Sequence, residues 1–142
     1  MVEHLLVIGG SIVALMGAGH AVVTVIDVAR PTQFTPIDDS VRESMKSTGL
    51  RFARGRTNMW DAWLGFNISH GLGVFIFGAV VIVLGSNCLA PIELSKTVLL
   101  APVVIGLIYF CLAVRFWFYL PAIGIAIATS CFMLAWLLHH PA

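Results

Sequence analysis

Two histidines stand inside long uncharged apolar runs: His20 in Gly17-Ala18-Gly19-His20, and His70 in Asn67-Ile68-Ser69-His70-Gly71-Leu72-Gly73. An ionisable side chain in a membrane-length segment is expensive, so it marks either a functional site or a buried polar network. Around them the spacing is helical. Gly17, His20, Thr24 and Asp27 recur at i, i+3, i+7 and i+10, and Trp63, Asn67 and His70 at i, i+4 and i+7. Each histidine lies ten residues from the charged or aromatic edge of its run, Arg30 for His20 and Trp60 for His70. On antiparallel helices both imidazoles then sit about 15 Å from the same edge.

Three chemistries fit this cluster. The first is a hydrogen-bond network of His20, Thr24, Asn67, Ser69 and His70 that joins two helices. The second is a ligand site. Two imidazoles at one depth are placed as axial ligands of a non-covalent haem b, with Gly17, Gly19, Gly71 and Gly73 leaving room beside them. The same polar groups also suit an apolar ligand such as a lipid, quinone or pigment. The glycines do not discriminate, because they serve close helix packing equally well. The third is histidine acid–base catalysis, which lacks a matched acid or nucleophile at that depth. No nucleotide loop, HExxH or CxxCH pattern accompanies the pair, so the sequence contains no recognisable catalytic apparatus.

The elements that must position these residues follow from composition. Of 142 residues, 59% are hydrophobic and 11% charged, and the mean hydropathy is +0.97. Soluble domains carry about 25% charged residues. The expected class is an all-α polytopic membrane protein, a single four-span antiparallel bundle over 1–142 with the lipid bilayer as its solvent. The spans cover about 5–29, 60–84, 97–118 and 121–138, each long enough for a hydrocarbon core of ~30 Å. The start, Met1-Val2-Glu3-His4, lacks the basic region of a secretory signal. A net charge of +1 with no basic stripe or zinc-finger spacing implies no nucleic-acid partner.

Arg30, Arg42, Lys46, Arg51, Arg54 and Arg56 lie between spans one and two, and Arg115 lies at the same end of span three. Lys96 alone falls on the other side. The positive-inside rule makes segment 30–59 cytoplasmic and both termini external. Within that segment, Thr35-Pro36-Ile37-Asp38 reads as a helix start with Thr35 as N-cap, and Gly49 as its stop. Ile37, Val41 and Met45 form a narrow apolar stripe, as for a helix on the membrane surface. Arg51, Arg54 and Arg56 around Phe52 read as a basic interfacial anchor, or more sharply as a site for anionic lipid or a partner.

Asp27, Asp61 and Arg115 lie at one end of their spans, and an ion pair of Arg115 with either acid would relieve the cost of holding them at the membrane edge. The short link Arg115–Pro121 makes spans three and four a hairpin, with Pro121 opening the fourth. Pro102 implies a kink or a late start of span three. Gly10, Ala14 and Ala18, Gly71 and Gly78, and Gly124 and Ala128 are candidate packing faces. The cysteines, Cys88, Cys111 and Cys131, form no framework, and His139-His140 is a weak metal pattern.

Gly19-His20, Phe34-Thr35-Pro36, Trp63-Leu64-Gly65-Phe66-Asn67-Ile68-Ser69-His70-Gly71 and Phe116-Trp117 before Pro121 together resemble a family of small bacterial four-helix membrane proteins of unknown function. The resemblance covers most of the chain, and Gly-Phe-Asn-x-Ser-His-Gly is its strongest element. It implies the four-span layout and a bacterial inner membrane, draws attention to His20, Asn67, Ser69 and His70, and implies no activity. A chain with so little soluble mass is expected to serve as an accessory subunit, packed against other membrane subunits or copies of itself. The alternatives are a bis-histidine haem b electron carrier and a binding or transport module for an apolar ligand.

Overall fold

The computed structural model describes residues 1–86 and 95–139, and every named element among them is helical. Helix α1 runs Val2–Ala29, α2 Asp39–Ser47, α3 Met59–Gly85, α4 Lys96–Phe116 and α5 Tyr119–Leu138. All but α2 are long and apolar enough to cross a membrane. In hydrocarbon each backbone N–H and C=O must be satisfied within its own segment, which a helix does and an open strand does not. The all-α architecture with four candidate spans is therefore the one expected. Only 28–33% of each span's most apolar window is buried, so most of their apolar surface faces outward, as a lipid environment permits.

The chain divides into two compact units, residues 1–17 with 74–142, and residues 18–73. The first unit holds the main apolar core: Leu6, Val13, Val81, Leu99, Val103, Ile125, Ala128 and Phe132 are buried in one cluster. Close backbone approach makes this possible. A Cβ on Gly78 would lie 2.4 Å from the Ala14 amide nitrogen and 2.6 Å from the Gly10 carbonyl oxygen. No side chain fits there, so α1 and α3 meet in this unit by backbone contact, as small residues allow in membranes. Gly106 of α4 likewise receives Thr129 of α5, whose hydroxyl would lie 2.5 Å from an added Cβ. Ser95 caps α4, its hydroxyl accepting the Val98 amide at 3.2 Å. Pro102 sits buried inside α4 rather than delaying its start. The α4–α5 hairpin forms as expected, but α5 begins at Tyr119, so Pro121 occupies its first turn rather than its first position. Cys111 and Cys131 are free thiols. Cys88 and His140 lie outside the described residues.

The second unit holds the end of α1, the segment through α2, and the start of α3. Here the expected helix start moves. Asp38, not Thr35, is the N-cap of α2, its carboxylate accepting the Ser40 amide at 2.8 Å. The physical reason lies upstream: residues 32–34 give their amides to Asp27 and cannot enter a helix. The Thr35 hydroxyl is buried with no hydrogen-bond partner among the described residues. Ile37 then falls outside the helix and is fully exposed, and α2 has no buried residue. Arg42–Asp39 at 3.1 Å and Lys46–Glu43 at 2.8 Å lace its outer surface. Ser40, through its hydroxyl and its amide, holds the Asp38 carboxyl below its ordinary value.

Candidate functional site

Within the second unit, α1 and α3 bring the two histidines together. Their ring centroids are 5.4 Å apart and nearly perpendicular, at 83°. The Nε2 of His20 meets the Oδ1 of Asn67 at 3.2 Å. Asn67 is buried, and its amide donates to the Trp63 carbonyl at 2.8 Å. That bond settles the amide's orientation, since a carbonyl only accepts. The Asn67 oxygen therefore faces His20, and His20 must carry its proton on Nε2 to donate to it. Thr24 is fully buried and returns its hydroxyl to the His20 carbonyl at 2.8 Å, one turn back. It supports the His20 turn without reaching across to α3.

The approach is close because of Gly71. A Cβ there would lie 2.7 Å from the Ala21 amide nitrogen. Gly71 thus acts as a packing residue that lets the two backbones touch at the residues immediately following the histidines, Ala21 and Gly71. Gly65 and Gly73 are exposed, and an added Cβ on either would meet nothing within 4 Å. Ser69, expected in the network, is exposed on α3 and donates to the Phe66 carbonyl at 2.9 Å. Gly17 is buried and belongs to the first unit. The structure therefore gathers His20, Asn67 and His70 directly and Thr24 through the backbone; Ser69 and Gly73 stand on an open face of α3.

A strap that sequence reasoning missed packs against His20. The Phe34 ring lies 4.6 Å from that of His20. The Phe34 carbonyl accepts the Trp63 indole N–H at 2.8 Å, and its amide donates to Asp27. Asp27 is fully buried and also accepts the amides of Thr32 and Gln33 and the Thr32 hydroxyl, each at 3.0 Å. A signal for this was present. A buried acid in the last turn of a helix opposes the helix dipole, so it needs donors from the chain that follows. Phe66 adds a stacked ring 6.0 Å from His70.

The residues expected to form an ion pair have local partners. Asp61 and Asn58 bond reciprocally at the start of α3, side-chain amide to carboxylate and backbone amide to side-chain oxygen, both at 2.8 Å, in the manner of a capping box. Arg115, in the first unit, lies 5.0 Å over the Phe116 ring. Among the described residues, no three His, Cys, Asp or Glu side chains are placed to hold a metal ion.

In comparisons with known proteins, no family model, curated protein or solved structure matches the chain. The site's chemistry is therefore read from its own geometry: a donor imidazole fixed by Asn67 and a second imidazole against its edge, both half-buried.

Proposed function

We propose that the chain is a small accessory subunit of a larger bacterial inner-membrane assembly, with segment 30–59 cytoplasmic. In this reading His20, Asn67 and His70 lock α1 to α3. The observation that carries it is the half-buried state of two mid-span imidazoles beside the exposed Gly65, Ser69 and Gly73. Lipid solvates an imidazole poorly, so two half-buried imidazoles within apolar helices favour cover by another subunit. Small residues on α3 leave the space a neighbouring helix needs. Six Lys and Arg residues within 30–59 support the orientation.

The same geometry weighs against haem. Axial imidazoles face one another across an iron, with the porphyrin plane between them. Here the rings meet edge to face, Asn67 lies on the His20 Nε2, and Gly71 presses on Ala21. A macrocycle would have to part the helices. An apolar ligand with one hydrogen-bonding group, such as a quinone, is the second reading, favoured by the half-buried state of His70 beside the Phe66 ring.

Native gels of mild-detergent extracts test the subunit reading. Gly65→Leu and Gly73→Leu project into open space and should leave the purified chain's melting temperature unchanged while releasing it from a larger species. If wild type and both variants migrate at the size of the single chain, the subunit reading fails.

A further inference from the structure

The segment between α2 and α3 presents three arginines from a hydrogen-bonded frame. Gly49 pairs with Asn58, and the Met59 amide donates to the Thr48 carbonyl at 2.9 Å, closing the loop. Inside it the Ala53 amide bonds the Leu50 carbonyl at 3.1 Å, and the Arg56 amide the Ala53 carbonyl at 3.0 Å. The chain reverses through Arg54 and Gly55, with φ of 48° and 79°. Glycine adopts this region freely; arginine seldom does, and the frame holds it there. The outcome is that Arg51, Arg54 and Arg56 are all exposed, with Phe52 among them at 84% exposure.

Nearby acids do not neutralise them. Asp39 and Glu43 pair with Arg42 and Lys46, and Asp61 is bonded to Asn58. Among the described residues no ion pair involves Arg51, Arg54 or Arg56. The loop runs directly into Met59, the first residue of a candidate span, with Trp60 and Trp63 in its opening turns. With α3 in a bilayer, these guanidinium groups and Phe52 stand at headgroup level.

We infer that the loop 49–58 is a docking site for the phosphate of an anionic phospholipid, held by Arg51, Arg54 and Arg56, with Phe52 inserted toward the acyl chains. The planar guanidinium fork matches phosphate oxygens in pairs. A largely exposed apolar ring in sequence among three cations fits a lipid surface better than an acidic peptide, which would leave Phe52 in water. The inference rests on α3 as a span and is independent of the subunit reading.

Wild type and an R51Q/R54Q/R56Q variant, purified in neutral mild detergent, are titrated with phosphatidylglycerol, phosphatidylcholine, inorganic phosphate and an acidic peptide. Bound species are counted by native mass spectrometry. Wild type should favour phosphatidylglycerol over phosphatidylcholine on the order of tenfold to a hundredfold. The glutamine variant should lose that preference, and Arg42→Gln, altered on α2, should keep it. Equal lipid retention by wild type and the glutamine variant overturns the site, as does equal loss in Arg42→Gln. Tighter binding of free phosphate or of the peptide than of phosphatidylglycerol also overturns it. Should the glutamine variant fail to fold, R51K/R54K/R56K and Phe52→Ser decide. Both should weaken phosphatidylglycerol binding about threefold or more, and unchanged binding in both refutes the proposal.

Discussion

The Oδ1 of Asn67 on α3 accepts a hydrogen bond from the Nε2 of His20 on α1 at 3.2 Å, while the other end of the same amide donates to the Trp63 carbonyl at 2.8 Å. One buried asparagine thus sets both the contact between two helices and the tautomer of a histidine.

Breaking that contact should be measurable. Asn67→Leu and His20→Phe are each expected to destabilise the chain. In a double-mutant cycle by thermal or SDS denaturation their coupling should be about 0.6 kcal/mol, and at most ~1.7 kcal/mol. A coupling of zero would mean that the bond adds nothing beyond packing.

Gly71→Ala places a methyl against the Ala21 backbone, which cannot move aside as a flexible side chain does. Its expected cost is about 1–3 kcal/mol. Gly73→Ala, two residues on and in open space, should stay within about 0.5 kcal/mol of wild type. Similar melting temperatures for the two variants would contradict the close crossing.

Asp27→Ala removes the acceptor for three consecutive backbone amides and the Thr32 hydroxyl. Buried bonds to a charged group contribute about 1.5–3 kcal/mol each, so the strap should detach even where the helices persist. In a chain retaining Trp63 as its one tryptophan, indole emission should shift as the bond to the Phe34 carbonyl opens. An unchanged spectrum would show that the strap stands without Asp27.

Asp38 carries a pH dependence outside the spans. Its folded value is lowered by Ser40, so its contribution to α2 is complete above the ordinary Asp value of about 3.9. That contribution is lost as pH falls through the lower folded value. Hydrogen-exchange protection at the start of α2, taken relative to the intrinsic amide rate at each pH, should fall on acidification in wild type and be low at every pH in Asp38→Ala.

Colour tests the haem alternative. The chain expressed alone in haem-replete cells is expected to be colourless, with no Soret band in wild type, His20→Ala or His70→Ala. A band in wild type that vanishes in both variants would replace the interhelical lock with a bis-histidine haem.

Several features were legible in the sequence because they depend on composition and period alone. Long uncharged runs specify spans, since hydrocarbon admits only self-satisfied backbone, and the edges of α1, α3, α4 and α5 lie close to where hydropathy puts them. The i, i+3, i+4 spacing placed His20 with Thr24, and Asn67 with His70, on single helix faces. Spacing along one helix does not state which face meets which neighbour. Only the tertiary structure decided that His20 and His70 touch, that Ser69 turns outward, and that Gly71 packs instead of opening a cavity. The start of α2 differs from the local expectation for the same reason. Thr35 has the local chemistry of a cap, but Asp27, eight residues earlier, had already drawn residues 32–34 into a strap across the chain. Local propensity describes what a segment can do alone; long-range hydrogen bonds and backbone contact choose among those options.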